Sequence, residues 1–400
     1  MPLVRAFQIA NGVGAGNIGD ELMARTFWQT LPQDIHLTVP LLSESSRQHE
    51  PYPQQHEYIP VDFAGNENSS ADCPGLLVGD TPVAENEGLD WPLRFLAPRL
   101  EHFHRRSAPV DAVGVGVDRL TGSEALQLFR RSFLPIRSWT VRSRNCRDAL
   151  LAMGVDAARI KVGADWAWLH QPKNNSREWA ENTWSALDID ARAPLLVINP
   201  VNMIWRDARV KRALASAFDA ARRALGFQIA FFCNECREGD FFDFAAVREI
   251  QGLMSQPSAV VPPEYYSPDE AIALISFADV TVAQRYHFAI ESIFAKTVPV
   301  CVIRGQKMAS LADELGLLRA GTVDHVESEV LLAAIGDALQ NKIQWQRRLA
   351  SGKRRLAERA AHNLDLLWTL PPYNSVAPAR GIFQIAARNM RRLISRSPTQ

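Results

Sequence analysis

The sequence predicts an α/β protein in which each half of the chain forms a doubly wound parallel sheet. Short apolar runs alternate with segments of helical periodicity along the whole chain, which is typical of this class. The chain has 400 residues, more than one hydrophobic core usually holds. A polar stretch at 171–194, predicted as a linker or a poorly packed helix, interrupts the alternation. We therefore expect an N-terminal domain over 1–180, a C-terminal domain over 190–370 and a tail over 371–400.

Composition and charge narrow the class of protein. Hydrophobic residues make up 47% of the chain and charged residues 22%, which is ordinary for a soluble globular protein. No apolar run reaches transmembrane length, and the N-terminus lacks the three-part order of a signal peptide. Five cysteines, an odd number in a long chain, fit a reducing compartment. We therefore predict a cytoplasmic protein.

The N-terminal domain is predicted to begin with a strand, a glycine-rich loop and a helix. The strand covers Val4–Ala10 and the helix covers Asp20–Gln29. The four glycines of 12–19 allow backbone conformations that other residues avoid, and they let a ligand approach the main chain. Residues 14–19 also fit the dinucleotide-binding pattern, with Glu44 after the next strand. Asp20 either caps the helix or points into a cleft.

The other elements follow in alternation. In the first half, strands are predicted over 36–42, 76–79, 111–116, 138–141 and 160–165, and helices over 123–133 and 142–153. Residues 43–74 are polar and are predicted to be loops. In the second half, strands are predicted over 195–199, 227–232, 259–261, 280–282 and 298–303, and helices over 210–225, 244–255, 268–277, 286–295, 308–315, 327–339 and 343–368.

One stretch of the second half gathers polar side chains where a strand leads into a helix. Arg285 and His287 follow the strand at 280–282, at a helix N-terminus that favours an anion. Glu291 lies four residues after His287 and so shares its helix face. Ligands of open α/β sheets bind at the carboxyl ends of the strands. The pattern is equally compatible with a binding site and with a buried helix start.

Cys233 and Cys236 form a single CxxC pair. A structural zinc site needs four ligands, and the sequence has no second pair. We interpret the two residues as a reduced pair without a metal.

Three stretches, in this order, resemble the polysaccharide pyruvyl transferase family. The first stretch is Gly16-Asn-Ile-Gly19-Asp20-Glu21. The second is Thr140-Val-Arg142, followed in the chain by residues 150–167. The third is Arg285-Tyr286-His287, followed by residues 298–300 and 307–317. The resemblance covers roughly residues 5–320. The sequence departs from the family at 79–82, where a glycine-rich run is thin, and at 200–209, where Arg206 and Arg209 are the only basic residues.

The resemblance implies two Rossmann-like domains that face a cleft, as in the GT-B glycosyltransferases. It also implies phosphoenolpyruvate as co-substrate without a further cofactor or metal, and a saccharide acceptor, free or lipid-linked. The product would be a cyclic pyruvate ketal of a cell-surface polysaccharide. We do not expect the protein to bind nucleic acid. This chemistry needs cations for the donor and a general acid and base. We assign His287 and Asp20 as catalytic, Arg285, Lys307 and Arg206 to the donor, and Asn17, Gly19, Glu21 and Glu291 to the acceptor side of the cleft.

The tail carries a strong positive charge. Residues 341–400 hold twelve Lys or Arg against two acids, a net charge of +10, so the first 340 residues carry −10. Beyond Leu370, apolar residues and arginines alternate at helical spacing. This basic amphipathic helix either lies on an anionic membrane, at its cytoplasmic face, or docks on its own protein.

Three other functions stay open at this point. A GT-B-type glycosyltransferase that uses a nucleotide sugar would need the same architecture and the same cationic cleft. A dinucleotide-dependent oxidoreductase would explain the glycine loop but not Arg285 and His287. A non-catalytic, carbohydrate-binding relative would explain the two departures from the family pattern.

Overall fold

The computed structural model describes most of the chain. The described residues are 5–9, 14, 16–33, 35–41, 53–54, 56–60, 73–85, 88–173, 176–190, 192–201, 208–237, 239 and 242–369. Arg206 and the tail at 371–400 lie outside this set, so the roles predicted for them stay predictions. Within the described part, no helix is both long and apolar enough to cross a bilayer.

The first half forms a seven-stranded sheet in which every strand pair is parallel. The strand order is β3-β2-β1-β4-β5-β6-β7. The strands are β1 (Arg5–Ile9), β2 (Ile35–Leu41), β3 (Glu57–Pro60), β4 (Gly75–Val78), β5 (Val110–Val115), β6 (Ser138–Val141) and β7 (Ile160–Val162). All residues of β4 and β5 are buried, as expected for strands that are covered on both faces.

Helices connect these strands. They are α1 (Ile18–Thr30), α2 (Phe95–Arg105), α3 (Ser123–Leu128), α4 (Arg144–Ala152) and α5 (Arg177–Ala186). A π-helical turn, Phe129–Phe133, continues α3, and a 3-10 turn, Trp166–Leu169, follows β7. Ser143 caps α4 by accepting a hydrogen bond from the Cys146 backbone N–H, so this helix begins later than predicted.

The second half forms a six-stranded parallel sheet in the order β10-β9-β8-β11-β12-β13. Its strands are β8 (Leu195–Asn199), β9 (Gln228–Phe231), β10 (Ala259–Val260), β11 (Val280–Ala283), β12 (Val298–Ile303) and β13 (Leu318–Thr322). Its helices are α6 (Ala208–Leu225), α7 (Asp243–Leu253), α8 (Pro268–Ile275), α9 (Tyr286–Phe294), α10 (Gly305–Leu315), α11 (Ser328–Gln340) and α12 (Lys342–Thr369). In both sheets the strand order reverses at the first strand, between β1 and β4 and between β8 and β11, which is the usual position of a binding crevice.

Two predictions about the elements are wrong in detail, and one strand was not predicted. The region 43–74, predicted to be loops, contains β3 at the sheet edge. The region 171–194 contains α5, and it packs well: Ala180 and Trp184 are buried, and the Trp184 indole N–H donates to the Leu274 carbonyl over 3.0 Å. The edge strand β13 was not predicted; only Ala320 among its residues is buried, so it shows no apolar run.

The long helix α12 joins the two halves. Near its start, Lys342 contacts Asp279 of the second half over 2.6 Å. Near its end, the Asn363 side-chain amide donates to the Ala164 carbonyl of the first half over 2.8 Å. Between these points, Arg359 donates to the Gly163 carbonyl over 2.6 Å and pairs with Glu314 of α10. These bonds hold the halves in one arrangement and bring their sheet edges together.

Candidate functional site

Loops at the carboxyl ends of the strands in the two sheets meet directly. The loop between β1 and α1 pairs with the loop after β9 through two backbone bonds, Ile18 N–H to the Asn234 carbonyl over 2.9 Å and Cys236 N–H to the Gly16 carbonyl over 3.1 Å. Asn17 and Glu235 form an isolated antiparallel bridge at this point. We call the space bordered by these loops, by the start of α9 and by the start of α10 the cleft. The predicted CxxC residues therefore lie at the junction of the halves.

His287 packs against Gly19 across the cleft. A β-carbon at Gly19 would lie 2.3 Å from the His287 Nδ1 and 2.4 Å from its Cβ and Cγ. Any larger residue at 19 would therefore collide with the root of the imidazole. Two residues that the sequence assigned to one site on separate grounds are thus in contact.

The other imidazole nitrogen of His287 faces an acidic partner from the first half. Its Nε2 lies 3.6 Å from the Asp165 Oδ2 and has no hydrogen-bond partner in the described part of the chain. Arg142 approaches the same carboxylate at 3.4 Å and donates to the Thr81 hydroxyl over 2.8 Å. Burial opposes ionisation of Asp165, but its interactions with His287, with Arg142 and with the Ala167 backbone N–H outweigh the effect of burial and hold its pKa below the usual value.

The surroundings of the His287 side chain favour the neutral form of the imidazole. Burial lowers its pKa, and the nearby Asp165 opposes this shift. The Tyr286 ring lies 5.0 Å from the imidazole, and the Arg142 guanidinium carbon lies 5.0 Å from the centre of the Tyr286 ring. A neutral imidazole beside a carboxylate can accept a proton, and once charged it would be stabilised by Asp165.

Two aspartates and a lysine form the polar part of the cleft. Burial raises the pKa of Asp20 well above the usual value, and repulsion from Asp80 adds to this effect while Lys307 opposes it. Asp80, after β4, has a left-handed backbone (φ 56°) and accepts a bond from the Thr81 N–H over 2.5 Å. A carboxyl group with a raised pKa is suited to general acid–base work near neutral pH.

Arg285 is bound by the carboxylate of Asp243, which was not predicted as a site residue. Its Nε lies 2.9 and 2.7 Å from the two Asp243 carboxylate oxygens, and its Nη2 lies 2.6 Å from Oδ1. Asp243 is fully buried, and it also accepts bonds from the Asn199 amide and from the backbone N–H groups of Asn234 and Glu235. Arg285 therefore supports the loop after β9 as well as bordering the cleft.

Glu291 lies below the cleft rather than in it. It is fully buried on α9, and the Asn234 amide donates to its oxygens over 3.2 and 3.3 Å. Burial raises the pKa of Glu291 to about 8, and the charge of Arg285 opposes this only in part. The residue is therefore mainly a neutral acid at pH 7, and it positions Asn234, whose carbonyl accepts the bond from the first half.

Asn17 and Glu21 also contribute through the backbone. The Asn17 side-chain oxygen accepts bonds from the Gly19 and Asp20 N–H groups and so caps α1, while a Glu21 oxygen accepts the Gly14 N–H over 2.8 Å. Both residues fix the glycine loop in place.

Asp80 and Asp243 were not among the site residues predicted from the sequence, and Arg142 and Asp165 lay only within stretches that resemble the family. All four follow a strand or begin the next helix at the carboxyl edge of a sheet. A systematic search for charged residues at strand ends would have found them. Among the described residues, no group of three or more His, Cys, Asp or Glu is arranged to hold a metal ion.

Comparisons with known proteins bear on the fold. No family model matches the sequence, and no curated protein sequence matches it. Solved structures do match over nearly the whole chain. UDP-GlcNAc 2-epimerase from Neisseria meningitidis, bound to UDP-GlcNAc, has a TM-score of 0.62 at 11% identity, with 92% of this chain and 100% of that chain covered.

Two further neighbours agree with this match. HepE from Anabaena in complex with UDP-glucose has a TM-score of 0.60 at 10% identity, covering 92% of this chain and 100% of that one. A glycosyltransferase from Rickettsia africae has a TM-score of 0.61 at 10% identity, with 92% of this chain and 98% of that chain covered. The chain has the GT-B fold. This confirms the predicted fold class of two Rossmann-like domains facing a cleft, and at these identities the likeness is one of fold alone.

Proposed function

We propose that the protein is an enzyme that binds a nucleotide sugar in the cleft and acts on the sugar. The observation that supports the proposal most directly is that the carboxyl ends of the strands in the two sheets lie next to each other. Asp20 and Asp80 follow strands of the first sheet, and Lys307 follows a strand of the second sheet. The structural neighbours support the same donor class, because two of them were solved with UDP-GlcNAc or UDP-glucose bound. The pyruvyl transfer predicted from the sequence becomes the second candidate.

The residues of the cleft suit such a donor. Helices α9 and α10 both begin there, and neither start has a side-chain cap, so their first N–H groups are available to an anion. Lys307 in the first turn of α10 adds a positive charge. In this proposal the diphosphate binds at these helix starts, and Asp20 moves a proton to or from the sugar.

Pyruvyl transfer from phosphoenolpyruvate has one specific observation in its favour. The three stretches that resemble the pyruvyl transferases lie far apart in the sequence, yet Gly19 contacts His287, Asp165 faces His287, and Arg142 contacts Tyr286. In this second candidate His287 handles the proton and Lys307 binds the donor. Arg285 would have to share its guanidinium with Asp243.

Thermal stability with and without ligands separates the candidates. A ligand that binds only the folded protein, present at about 100 times its Kd, adds about 2.7 kcal/mol of stability. We expect UDP and UDP-GlcNAc to stabilise the wild type, and Lys307→Met to reduce the effect. Lys161→Met, at an exposed lysine of β7, serves as the matched control. Stabilisation by phosphoenolpyruvate and not by UDP would favour the second candidate, and stabilisation by neither would overturn both.

Turnover is the second test. Asp20→Asn keeps the size of the side chain but removes the acid–base group, so it should abolish conversion of the sugar while leaving UDP binding intact. Glu329→Gln, at an exposed acid of α11, should leave both unchanged. Full activity of Asp20→Asn would remove Asp20 from the mechanism.

A further inference from the structure

A small pocket between the halves is lined by charged and polar groups of which only Lys307 has a role in the proposed function. Arg142 comes from the first half, Tyr286, Lys307, Ser310 and Glu314 come from the second half, and Arg359 comes from α12. The Asn145 amide donates to the Ser310 hydroxyl over 2.7 Å, so the pocket lies where the halves are already bonded. A ligand here would touch both halves at once.

The lining carries an excess of positive charge. Arg359 and Glu314 form a pair that also bonds the Gly163 carbonyl, and their charges cancel. Arg142 is only partly compensated, because its 3.4 Å distance to Asp165 is longer than the usual 2.7–2.9 Å of a charge-assisted bond. Lys307 is near enough to Asp20 and Asp80 for their charges to act on it, but no hydrogen bond or ion pair within 4 Å joins it to another described residue. The side chains of Arg142 and Lys307 therefore line the pocket with N–H groups that can still bind an anion.

An unpartnered hydroxyl completes the lining. Tyr286 is only 7% exposed, yet its O–H has no hydrogen-bond partner among the described residues. The Arg142 guanidinium carbon lies 5.0 Å from the centre of the Tyr286 ring, within the range of a cation–π contact. The hydroxyl oxygen is not among the fully buried side-chain atoms that lack a partner, so it keeps some exposed surface to which a ligand or a water molecule can bond.

We propose that this pocket binds a small oxyanion of the phosphate type between Arg142, Lys307 and the Tyr286 hydroxyl. The bound anion bridges the halves and stabilises their closed arrangement. Lys307 is a flexible side chain at the pocket wall, and its movement admits the anion. The inference does not depend on which donor the protein uses, because the charge balance and the free hydroxyl are properties of the pocket itself.

Isothermal titration with inorganic phosphate, in a chloride buffer at constant ionic strength, tests the site. We expect the wild type and Lys161→Met to bind phosphate alike. Lys307→Met should weaken the affinity about tenfold or more, the loss expected for one charge-assisted bond. Tyr286→Phe removes only the hydroxyl and should weaken it by a smaller factor. Equal affinity in all four proteins, or no heat of binding in the wild type at millimolar phosphate, would overturn the proposal.

UDP identifies the source of the anion in the same experiment. Displacement of phosphate by UDP would support the site and assign it to a phosphate group of the donor. Simultaneous binding of UDP and phosphate would support it as a site for a free anion. Binding of UDP without any binding of phosphate would overturn the pocket and leave the proposed function standing.

Discussion

The contact between Gly19 and His287 gives the sharpest prediction about the junction of the halves. Gly19→Ala would place a methyl carbon 2.3 Å from the His287 Nδ1, whereas ordinary contact begins at 3.4 Å. Helices α1 and α9 must therefore separate by about 1.1 Å, the difference of these distances, because the nearest atoms include the His287 Cβ and Cγ and not a flexible end. Overpacking of this kind typically costs about 1–3 kcal/mol.

Gly252→Ala is the matched control for this substitution. Gly252 lies in α7, and a β-carbon there meets nothing within 4 Å. Alanine at such a position usually stabilises a protein by about 0.4–1 kcal/mol, because it restricts the unfolded chain. Urea denaturation should therefore shift the two variants in opposite directions. If Gly19→Ala were as stable as the wild type, the close packing across the cleft would be wrong.

Two further predictions concern buried carboxyl groups. The pKa of Glu291, raised from 4.5 to about 8, means that the folded chain binds more protons than the unfolded chain between these values, so stability falls as pH rises through that window. The free energy of unfolding, measured by urea denaturation, should fall between pH 5 and pH 8 by at least about 1 kcal/mol less in Glu291→Gln than in the wild type. An unchanged pH dependence would contradict the raised pKa of Glu291. Asp243→Asn leaves Arg285 without its carboxylate and should cost about 3–5 kcal/mol. Asp313→Asn, at an exposed pair, should cost about 1 kcal/mol or less, and equal losses would refute the distinction.

Most of the fold follows from the sequence because the alternation of apolar runs and helical periodicity is a local signal. Strands β4, β5 and β8 are buried along their whole length and so appear as continuous apolar runs. The exceptions have weak local signals. In β13 only Ala320 is buried, and in α5 only Ala180 and Trp184 are, so both segments look polar until their partners are known.

The candidate site was predictable in its position but not in its pairings. The strand-to-helix turn before α9 correctly indicated a place where polar groups gather. The partner of Arg285 is Asp243, 42 residues earlier in the chain, and the partner of His287 is Gly19 in the other half. Such contacts depend on how the sheets face each other, which no local pattern encodes. The sequence therefore could not show that Arg285, predicted to bind an anion of the donor, is already paired with Asp243.

Hydrogen exchange in the presence of UDP tests the central claim, that the cleft between the two halves is the ligand site. We predict that UDP slows exchange in peptides covering the start of α1, the loop after β9, and the starts of α9 and α10. Peptides at the amino ends of the strands, such as the turn between the end of α6 and β9, should stay unchanged. A parallel sample with phosphoenolpyruvate shows which ligand protects the same peptides. Protection elsewhere, or none with either ligand, would contradict the account.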